Sequence, residues 1–365
     1  MGPLPAIGSS TRPFTWTPCD AGPVAARISW EDLVRGAHSA LSLDATGRPD
    51  PALVVVDLDG VDWAALPPPP LLERSRTPVL VGVAHTPLSA AALPVLEHLS
   101  CTIAPDGPGR VVATSREVEA DVERVLATVR RAPVAAVTLV GLLELTARVG
   151  VPDGLLAESL AYSSLLAGEE FRAWRFGTPR REARPAAEPV RVTRVEDRLL
   201  VTLNRPQRHN AFDRATRDAL LAALDVAVAD HDVTVELGAE GPSFCSGGDL
   251  DEFGTADDVA LAHLVRTTRS VGLALDRLRG RSRVVVHGAC IGAGVELPAF
   301  AGTVVAREGA WFRLPELGMG LVPGAGGTVS VTRRIGRWRT AYLALTDSPL
   351  DLERALAWGL VDARA

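Results

Sequence analysis

One stretch of the sequence limits the fold and the chemistry of this chain more than any other. It runs from His287 to Thr328 and reads HGACIGAGVELPAFAGTVVAREGAWFRLPELGMGLVPGAGGT. Two carboxylates, Glu296 and Glu316, stand there among glycines and apolar residues. Acidic side chains are rarely buried in apolar surroundings without a specific reason. The composition is therefore typical of a buried site.

The backbone of this stretch is predicted to pass from a strand into a helix through small residues. Arg283–His287 is a β-branched run that favours a buried strand, and a helix is predicted from Gly294 to Phe300. The start of a helix has N–H groups without intrahelical acceptors and the positive end of the helix dipole. An acyl oxygen could therefore bind at this turn.

Length and charge restrict the class of protein further. The 365 residues are enough for two domains, and 47% hydrophobic residues allow substantial cores. A formal net charge of −6 argues against a nucleic-acid partner. The sequence contains no lysine, so contacts to a phosphate must come from arginine or from backbone N–H groups.

The cysteines and the N-terminus indicate neither a metal site nor membrane targeting. Cys19, Cys101, Cys245 and Cys290 form no CxxC pair, and we expect reduced, buried thiols and no metal. The N-terminal residues lack the basic and apolar regions of a signal peptide, and no window is apolar over about eighteen residues. We therefore expect a cytoplasmic protein with no membrane partner.

The first half is predicted to contain alternating strands and helices. Residues 1–25 are rich in Pro, Gly and Ser and are predicted to form an N-terminal arm, and residues 178–189 are predicted to be a linker. A domain is expected over residues 26–177. Its predicted strands are Ala52–Leu58, Thr77–Val83 and Cys101–Ala104, and its predicted helices are Ser29–Leu41 with Ser29 as N-cap, Leu88–Leu99, Glu117–Arg131, Ala135–Ala147 and Pro152–Phe176.

The second half is predicted to begin with two strands joined by a turn. Further strands and helices then alternate up to the site described above. The predicted strands are Val190–Val195, Arg198–Asn204, Val233–Leu237, Arg283–His287, Thr303–Arg307 and Trp311–Leu314, and the predicted helices are Thr216–Val228 and Gly294–Phe300.

Four motifs of this half occur in an order that resembles a known family. They are FCSGGDL at Phe244–Leu250, GACIGAGVELPAF, FRLPELGMGLVPGAGGT, and ALAWGLVD at Ala355–Asp362. Together they resemble the enoyl-CoA hydratase/isomerase, or crotonase, superfamily over residues 190–365. Four motifs in the family's order are far more specific than one glycine-rich turn. The resemblance implies an α/β crotonase fold of repeated ββα units.

The first half is expected to be a degenerate crotonase-like copy. TPVLVGVAHTPLSAAALPVLEHLSCTIA repeats the succession of strand, helix and strand in RVVVHGACIGAGVELPAFAGTVVA. The glycines of the turn after the first strand and the glutamate that follows them have no counterpart in it. Any α/β protein could show the same succession, so this alternative stays open.

The resemblance also implies a division of labour between the halves. The family normally continues with a helical tail, whereas this chain stops at Ala365, so the second half is expected to lack that tail. GLLAESLAYSSLLAGEEFRAWR is similar to the tail, and we expect the helix Pro152–Phe176 to replace it. A plain amphipathic helix packing on its own domain would show the same pattern. The expected packing face is Leu155, Leu156, Leu160, Leu165, Phe171 and Trp174.

Catalytic roles follow from the resemblance, residue by residue. The backbone N–H groups of Gly248 and Ala293 would stabilise negative charge on a thioester oxygen. Glu296 would help to activate water, and Glu316 would give a proton to the α-carbon. The structural alternatives are a helix-start acid for Glu296 and an ordinary turn acid for Glu316. We expect Asp249 to be structural, and His287, a lone histidine at the end of an apolar strand, to be a core residue.

The coenzyme A contacts are less specific in the sequence. RPQRHNAF resembles the family segment that lines the adenine end of coenzyme A, and Ala211 is the matching position. Arg208 and Arg214 are candidates for phosphate contacts, although solvated surface arginines are commoner.

The sequence thus predicts an enzyme that hydrates an α,β-unsaturated acyl-CoA thioester. The only cofactor moiety is coenzyme A as part of the substrate, and a homo-oligomer is expected. A double-bond isomerase is the first alternative, and a non-catalytic acyl-CoA-binding partner subunit is the second. Retention of both glutamates argues against a pure binding protein.

Overall fold

A computed structural model describes residues 25–63, 76–181 and 187–365. The proposed arm at residues 1–25 therefore lies almost entirely outside the described residues, and so does part of the proposed linker at 178–189.

The first half contains a five-stranded parallel sheet in the order β1-β2-β3-β4-β5. Its central strands are β-branched and buried, as predicted. The strands are β1 Ala25–Ser29, β2 Leu53–Asp57, β3 Val79–Val83, β4 Cys101–Ala104 and β5 Val112–Thr114.

Two short helices accompany this sheet. Helix α1 (Trp30–Val34) begins after Ser29, as predicted, because the Ser29 hydroxyl accepts from the N–H of Asp32 in a capping box. It ends well before the predicted Leu41. The helix predicted over Leu88–Leu99 is reduced to a 3-10 turn and α2 (Leu93–Leu96).

Four longer helices follow the sheet: α3 Val118–Arg131, α4 Pro133–Thr146, α5 Val151–Leu166 and α6 Glu169–Gly177. The prediction of one helix over Pro152–Phe176 is wrong, because Ala167 and Gly168 separate α5 from α6. Gly168 has extended backbone angles and is the N-cap of α6.

The second half has a six-stranded sheet in the order β14-β11-β9-β8-β7-β6 and a three-stranded sheet in the order β10-β12-β13. The hairpin β6–β7 is antiparallel, and the rest of the larger sheet is parallel. The strands are β6 Val190–Val195, β7 Arg198–Leu203, β8 Thr234–Ala239, β9 Ser282–Val286, β10 Ala289–Ile291, β11 Thr303–Ala306, β12 Trp311–Arg313, β13 Leu350–Asp351 and β14 Ala363–Arg364.

The helix predicted over Gly294–Phe300 is a single α-helical turn followed by a 3-10 turn, Pro298–Phe300. Pro298 has no N–H with which to continue the helix. The helices of this half are α7 Arg214–Ala229, α8 Val259–Thr268, α9 Val271–Arg277, α10 Ala293–Glu296, α11 Gly327–Ile335, α12 Arg337–Thr346 and α13 Leu352–Trp358.

The two halves share one hydrophobic core. Buried side chains of α3, α4 and the first sheet form a continuous cluster with those of α11 and α12. Inside this contact the Tyr342 hydroxyl donates to Asp121 at 2.7 Å, and the Thr146 hydroxyl donates to the carbonyl of Thr328 at 2.7 Å. The helices that end the first half thus pack directly on the second half.

The degenerate-copy interpretation stays a prediction. Both halves have parallel strands, but the described part of the first half has neither an antiparallel hairpin nor a second small sheet.

Candidate active site

The backbone N–H groups of Gly248 and Ala293 belong to two loops that approach each other at the cleft. Phe212 donates to the carbonyl of Gly247 at 2.7 Å, and Asp249 donates to the carbonyl of Phe212 at 3.0 Å. These two bonds form a parallel β-bridge between Phe212 and Gly248. The N–H of Gly248 itself therefore points away from Phe212.

The second N–H belongs to Ala293, the first residue of α10, which has no intrahelical acceptor. Gly292 before it has φ of +50°, which glycine adopts without strain. The two loops approach closely, because a Cβ on Gly294 would lie 2.3 Å from the carbonyl oxygen of Cys245. Only glycine permits this contact between the loops, and Gly248 and Ala293 both line the same cleft.

Two buried carboxylates stand beside this junction. Glu296 is 3% exposed and Glu316 is 6% exposed. A Cβ placed on Gly292 would lie 2.6 Å from Glu316 Oε1 and 3.8 Å from Glu296 Oε1. Both carboxylates therefore lie close to Gly292, where an added side chain would collide with Glu316.

Glu296 is anchored through one oxygen. Its Oε2 accepts from the N–H groups of Ala325 and Gly327, both at 2.8 Å, and its Oε1 lies near Gly292. Burial raises the pKa of Glu296 to about 7, although the two N–H donors oppose the shift. Such a group can accept or release a proton near neutral pH.

Glu316 has a different environment. Its Oε2 is buried without a hydrogen-bond partner among the described residues. Burial, followed by the nearby charge of Glu296, raises the pKa of Glu316 well above its usual range. A raised pKa favours the protonated form of this carboxyl group, which is the form that can act as an acid.

A third buried carboxylate, Glu158 on α5, was not predicted from the sequence. It is 2% exposed and accepts from the N–H of Gly326 at 2.7 Å and from the N–H and hydroxyl of Thr328 at 2.9 and 2.6 Å. Burial and the charge of Glu296 raise its pKa to about 8. The only signal in the sequence was an acidic residue in an otherwise apolar helical run.

These groups line a cleft of about 1030 Å³ that lies between the two halves. Helix α5 turns Leu155, Glu158, Ser159 and Tyr162 towards this cleft. The predicted packing face is therefore wrong in part, since Leu156 is 46% exposed and Leu160 is 53% exposed. Of the same predicted face, Leu165 and Phe171 are buried, and Leu155 and Trp174 pack against the core.

The candidate coenzyme A contacts lie in different places. Ala211 is buried, and its carbonyl accepts from Arg205. Arg214 lines the cleft with a side chain that is 64% exposed. Arg208 is not placed to bind a phosphate, because its guanidinium is held between Asp249, at 3.1 Å, and Asp251.

Asp249 and His287 have structural contacts. Asp249 is buried between Arg205 and Arg208, which agrees with its expected role. His287 is partly exposed, its Nε2 contacts the carbonyl of Gly241 at 2.9 Å, and it does not line the cleft.

Cys101, Cys245 and Cys290 are free and buried, as expected, whereas Cys19 lies outside the described residues. Within residues 25–63, 76–181 and 187–365, no group of three or more metal-binding side chains is placed to hold an ion. Over the same ranges no single helix is long and apolar enough to cross a membrane, and only α3 and α4 together, bent by 110°, meet that criterion.

Comparison with known proteins gives the family of the second half. The family model described as Enoyl-CoA hydratase/isomerase matches residues 196–364. A 2,3-dehydroadipyl-CoA hydratase of Escherichia coli is 34% identical over 47% of this chain and 66% of its own length. A trans-2-decenoyl-[acyl-carrier-protein] isomerase of Streptococcus mutans is 35% identical over 44% of this chain and 63% of its own length. The solved enoyl-CoA hydratase of Thermoplasma volcanium is 28% identical, with a TM-score of 0.45, over 48% of this chain and 71% of that one.

Residues 196–364 thus belong to the enoyl-CoA hydratase/isomerase family, and the α/β crotonase fold expected for the second half is confirmed. The chain spans slightly less than two thirds of the length of these curated relatives.

Proposed function

We propose that this protein binds an acyl-CoA thioester in the cleft and hydrates an α,β-unsaturated acyl group. The principal support is that Glu296 and Glu316, which both lie close to Gly292, line the same cleft as Gly248 and Ala293.

The oxyanion is the first requirement of the reaction. A conjugated thioester becomes electrophilic at its β-carbon when charge on the carbonyl oxygen is stabilised. Gly248 and Ala293 would donate to that oxygen, and the loss of one such donor typically costs about 100- to 1000-fold in rate.

The two carboxylates would then divide the proton transfers. Glu296, whose two N–H donors bind Oε2, would use Oε1 to take a proton from a water in the cleft. Glu316 would give its proton to the α-carbon, which its raised pKa favours. The product is a 3-hydroxyacyl thioester, with one water added and no net proton released.

The phosphates of coenzyme A would be met by arginines at the cleft. Arg214 and Arg217 at the start of α7 and Arg269 after α8 all line it. Of the two arginines proposed from the sequence, we retain Arg214.

A double-bond isomerase is the second candidate. One observation favours it: Glu316 Oε2 has no hydrogen-bond partner within the part of the chain that the structure describes, whereas Glu296 is anchored by two N–H groups. A single unanchored carboxyl group could move a proton between two carbons while Glu296 stays idle.

The deciding experiment compares two substrates. Purified full-length protein is given crotonyl-CoA, and loss of the absorbance of the conjugated thioester is followed. A hydratase removes this absorbance, whereas an isomerase given a 3-enoyl-CoA creates it. Binding of either thioester without any absorbance change would support the non-catalytic alternative.

A further inference from the structure

Two carboxylates from opposite halves of the chain share the start of helix α11. Residues 325–328 present four successive backbone N–H groups. Glu296 accepts from the first and third, both at 2.8 Å, and Glu158 accepts from the second and fourth, at 2.7 and 2.9 Å. The two buried side chains therefore alternate along one short segment of backbone.

The two carboxylates differ in their ability to hold a proton. Glu296 Oε2 meets only N–H groups, which donate and cannot accept. Glu158 Oε2 also lies 2.6 Å from the hydroxyl of Thr328, which can donate to a carboxylate or accept from a carboxylic acid. A protonated Glu158 therefore keeps a partner for its O–H.

The charged surroundings do not neutralise two carboxylates. Glu158 faces Glu296, Glu316 and Tyr162. Arg266 of α8 also acts on its charge, but this guanidinium donates to Ser159 and Ser163 and stacks over the Tyr162 ring at 4.8 Å. His263 of α8 also contacts Ser159. On the other helices packed against α5, these charged groups have partners other than Glu158 and Glu296. The carboxylates are Glu144, which pairs with Arg337, Glu170, which accepts from the N–H groups of Val134 and Ala135, and Asp276, which pairs with Arg279. The arginines are Arg333, which donates to the Val149 carbonyl, and Arg334, which pairs with Asp362.

We propose that Glu158 is a positioning residue that holds one proton at neutral pH and so leaves Glu296 as the ionised member of the pair. The first half of the chain then sets the protonation state of a group in the second half. The raised pKa values of both groups agree with this order, since charge on Glu296 opposes charge on Glu158. The consequence for catalysis rests on the proposed function, in which Glu296 activates water.

The pair can be tested without turnover. The full-length wild type, Glu158→Gln, Glu296→Gln and Ser164→Ala are titrated while the infrared C=O stretch of protonated carboxyl groups is recorded. Ser164 is the matched control, because it lies on the same helix with an exposed side chain.

The wild type should lose protonated carboxyl signal in a step near pH 8 that is absent from Glu158→Gln and retained in Ser164→Ala. In Glu296→Gln the Glu158 step should move to lower pH, because the neighbouring charge is gone. Retention of the upper step in Glu158→Gln would overturn the proposal. An unmoved Glu158 step in Glu296→Gln would also overturn it, and this second result does not depend on whether Glu158→Gln folds.

Kinetic measurements distinguish a residue that holds a proton from one that only supports the structure. When both carboxylates are ionised, their repulsion should displace Glu296, so kcat of the wild type should fall above the Glu158 step. Glu158→Gln should lower kcat by up to about 100-fold, as a small misplacement of a catalytic group can, with little change in KM and with the upper limb of the pH profile abolished. An equal loss of kcat at every pH would show that Glu158 has a purely structural role and would overturn the proposal. If the wild type turns over no enoyl-CoA, the proposed function fails, but the infrared titration still decides the state of the pair.

Discussion

Arg337 of α12 and Glu144 of α4 form an ion pair at 2.7 Å in which both side chains are more than nine-tenths buried. Arg337 also donates to the carbonyl of Leu99 at 3.0 Å. Breaking a buried pair by removing one partner typically costs about 3–5 kcal/mol, because the remaining charge is uncompensated. The halves of this chain are therefore joined by contacts that neither half satisfies by itself.

The first prediction concerns a fragment of residues 190–365. It should be insoluble or inactive, because it exposes the apolar surface of α11 and α12 and removes Glu144, the buried ion-pair partner of Arg337. Solubility, size distribution and turnover of the fragment are the measurements. Co-expression of residues 1–180 should restore activity, since that piece returns Glu144 and Glu158. A monodisperse fragment as active as the full chain would contradict this account.

The second prediction concerns the two glutamates. Glu296→Gln and Glu316→Gln should each lower kcat by about 100- to 10,000-fold while acyl-CoA affinity changes little, because the amide keeps the shape but transfers no proton. Turnover and equilibrium binding are measured on the same samples. Full activity in both variants would exclude the hydratase, whereas loss in Glu316→Gln alone would favour the isomerase.

The third prediction concerns the close contact between Gly292 and Glu316. Gly292→Ala adds a Cβ 2.6 Å from Glu316 Oε1, so it should displace that carboxyl group and abolish most turnover. Gly309→Ala is the matched control, because φ is also positive there, +78°, but no atom lies within 4 Å of the added Cβ. Both variants should melt at lower temperature than the wild type, since alanine is strained at positive φ. Equal loss of activity in the two variants would show that backbone strain alone is responsible.

The fourth prediction concerns stability and pH. The pKa values of Glu158, Glu296 and Glu316 are raised by folding, so the folded chain holds protons that the unfolded chain has released. Their contribution to the free energy of unfolding is full below the ordinary glutamate pKa of about 4.3. The contribution of Glu296 is lost as the pH rises through about 7 and that of Glu158 as it rises through about 8, and the contribution of Glu316 falls in the same direction.

Thermal melts across this range test the sign. Glu158→Gln should show a shallower loss of melting temperature with rising pH than the wild type. Glu123→Gln, at an exposed position of α3, should follow the wild type. Identical slopes in all three proteins would show that Glu158 is not a buried group with a raised pKa.

The sequence by itself was sufficient for the elements whose signal is local. Buried strands such as Leu53–Asp57 and Cys101–Ala104 lie where their β-branched or apolar runs predicted them. The glycines around Glu296 indicated a tight turn beside a carboxylate, and Gly292 and Gly294 are required there by a positive φ and by a close approach of backbone. Four motifs gave the family of the second half, because each is a continuous string of residues.

Local signals were misleading where a helix breaks or where a surface does not follow hydropathy. Pro152–Phe176 is continuous in its apolar pattern, but Gly168 divides it into two helices. The apolar Leu156 and Leu160 are exposed, whereas the polar Glu158 and Ser159 are buried and line the cleft together with Leu155. An amphipathic pattern predicts burial of apolar side chains, and it does not predict which polar side chains a helix buries at a site.

The sequence therefore determined which residues can perform the chemistry, and the tertiary structure alone decided which of them do so together. Arg208 was a plausible phosphate contact until the fold placed Asp249 and Asp251 around it. Glu158 had no signal as a site residue, because its partners at Gly326 and Thr328 are remote in the chain and meet it only when the halves pack. Burial, the cause of its raised pKa, is a property of that packing and not of the residue itself.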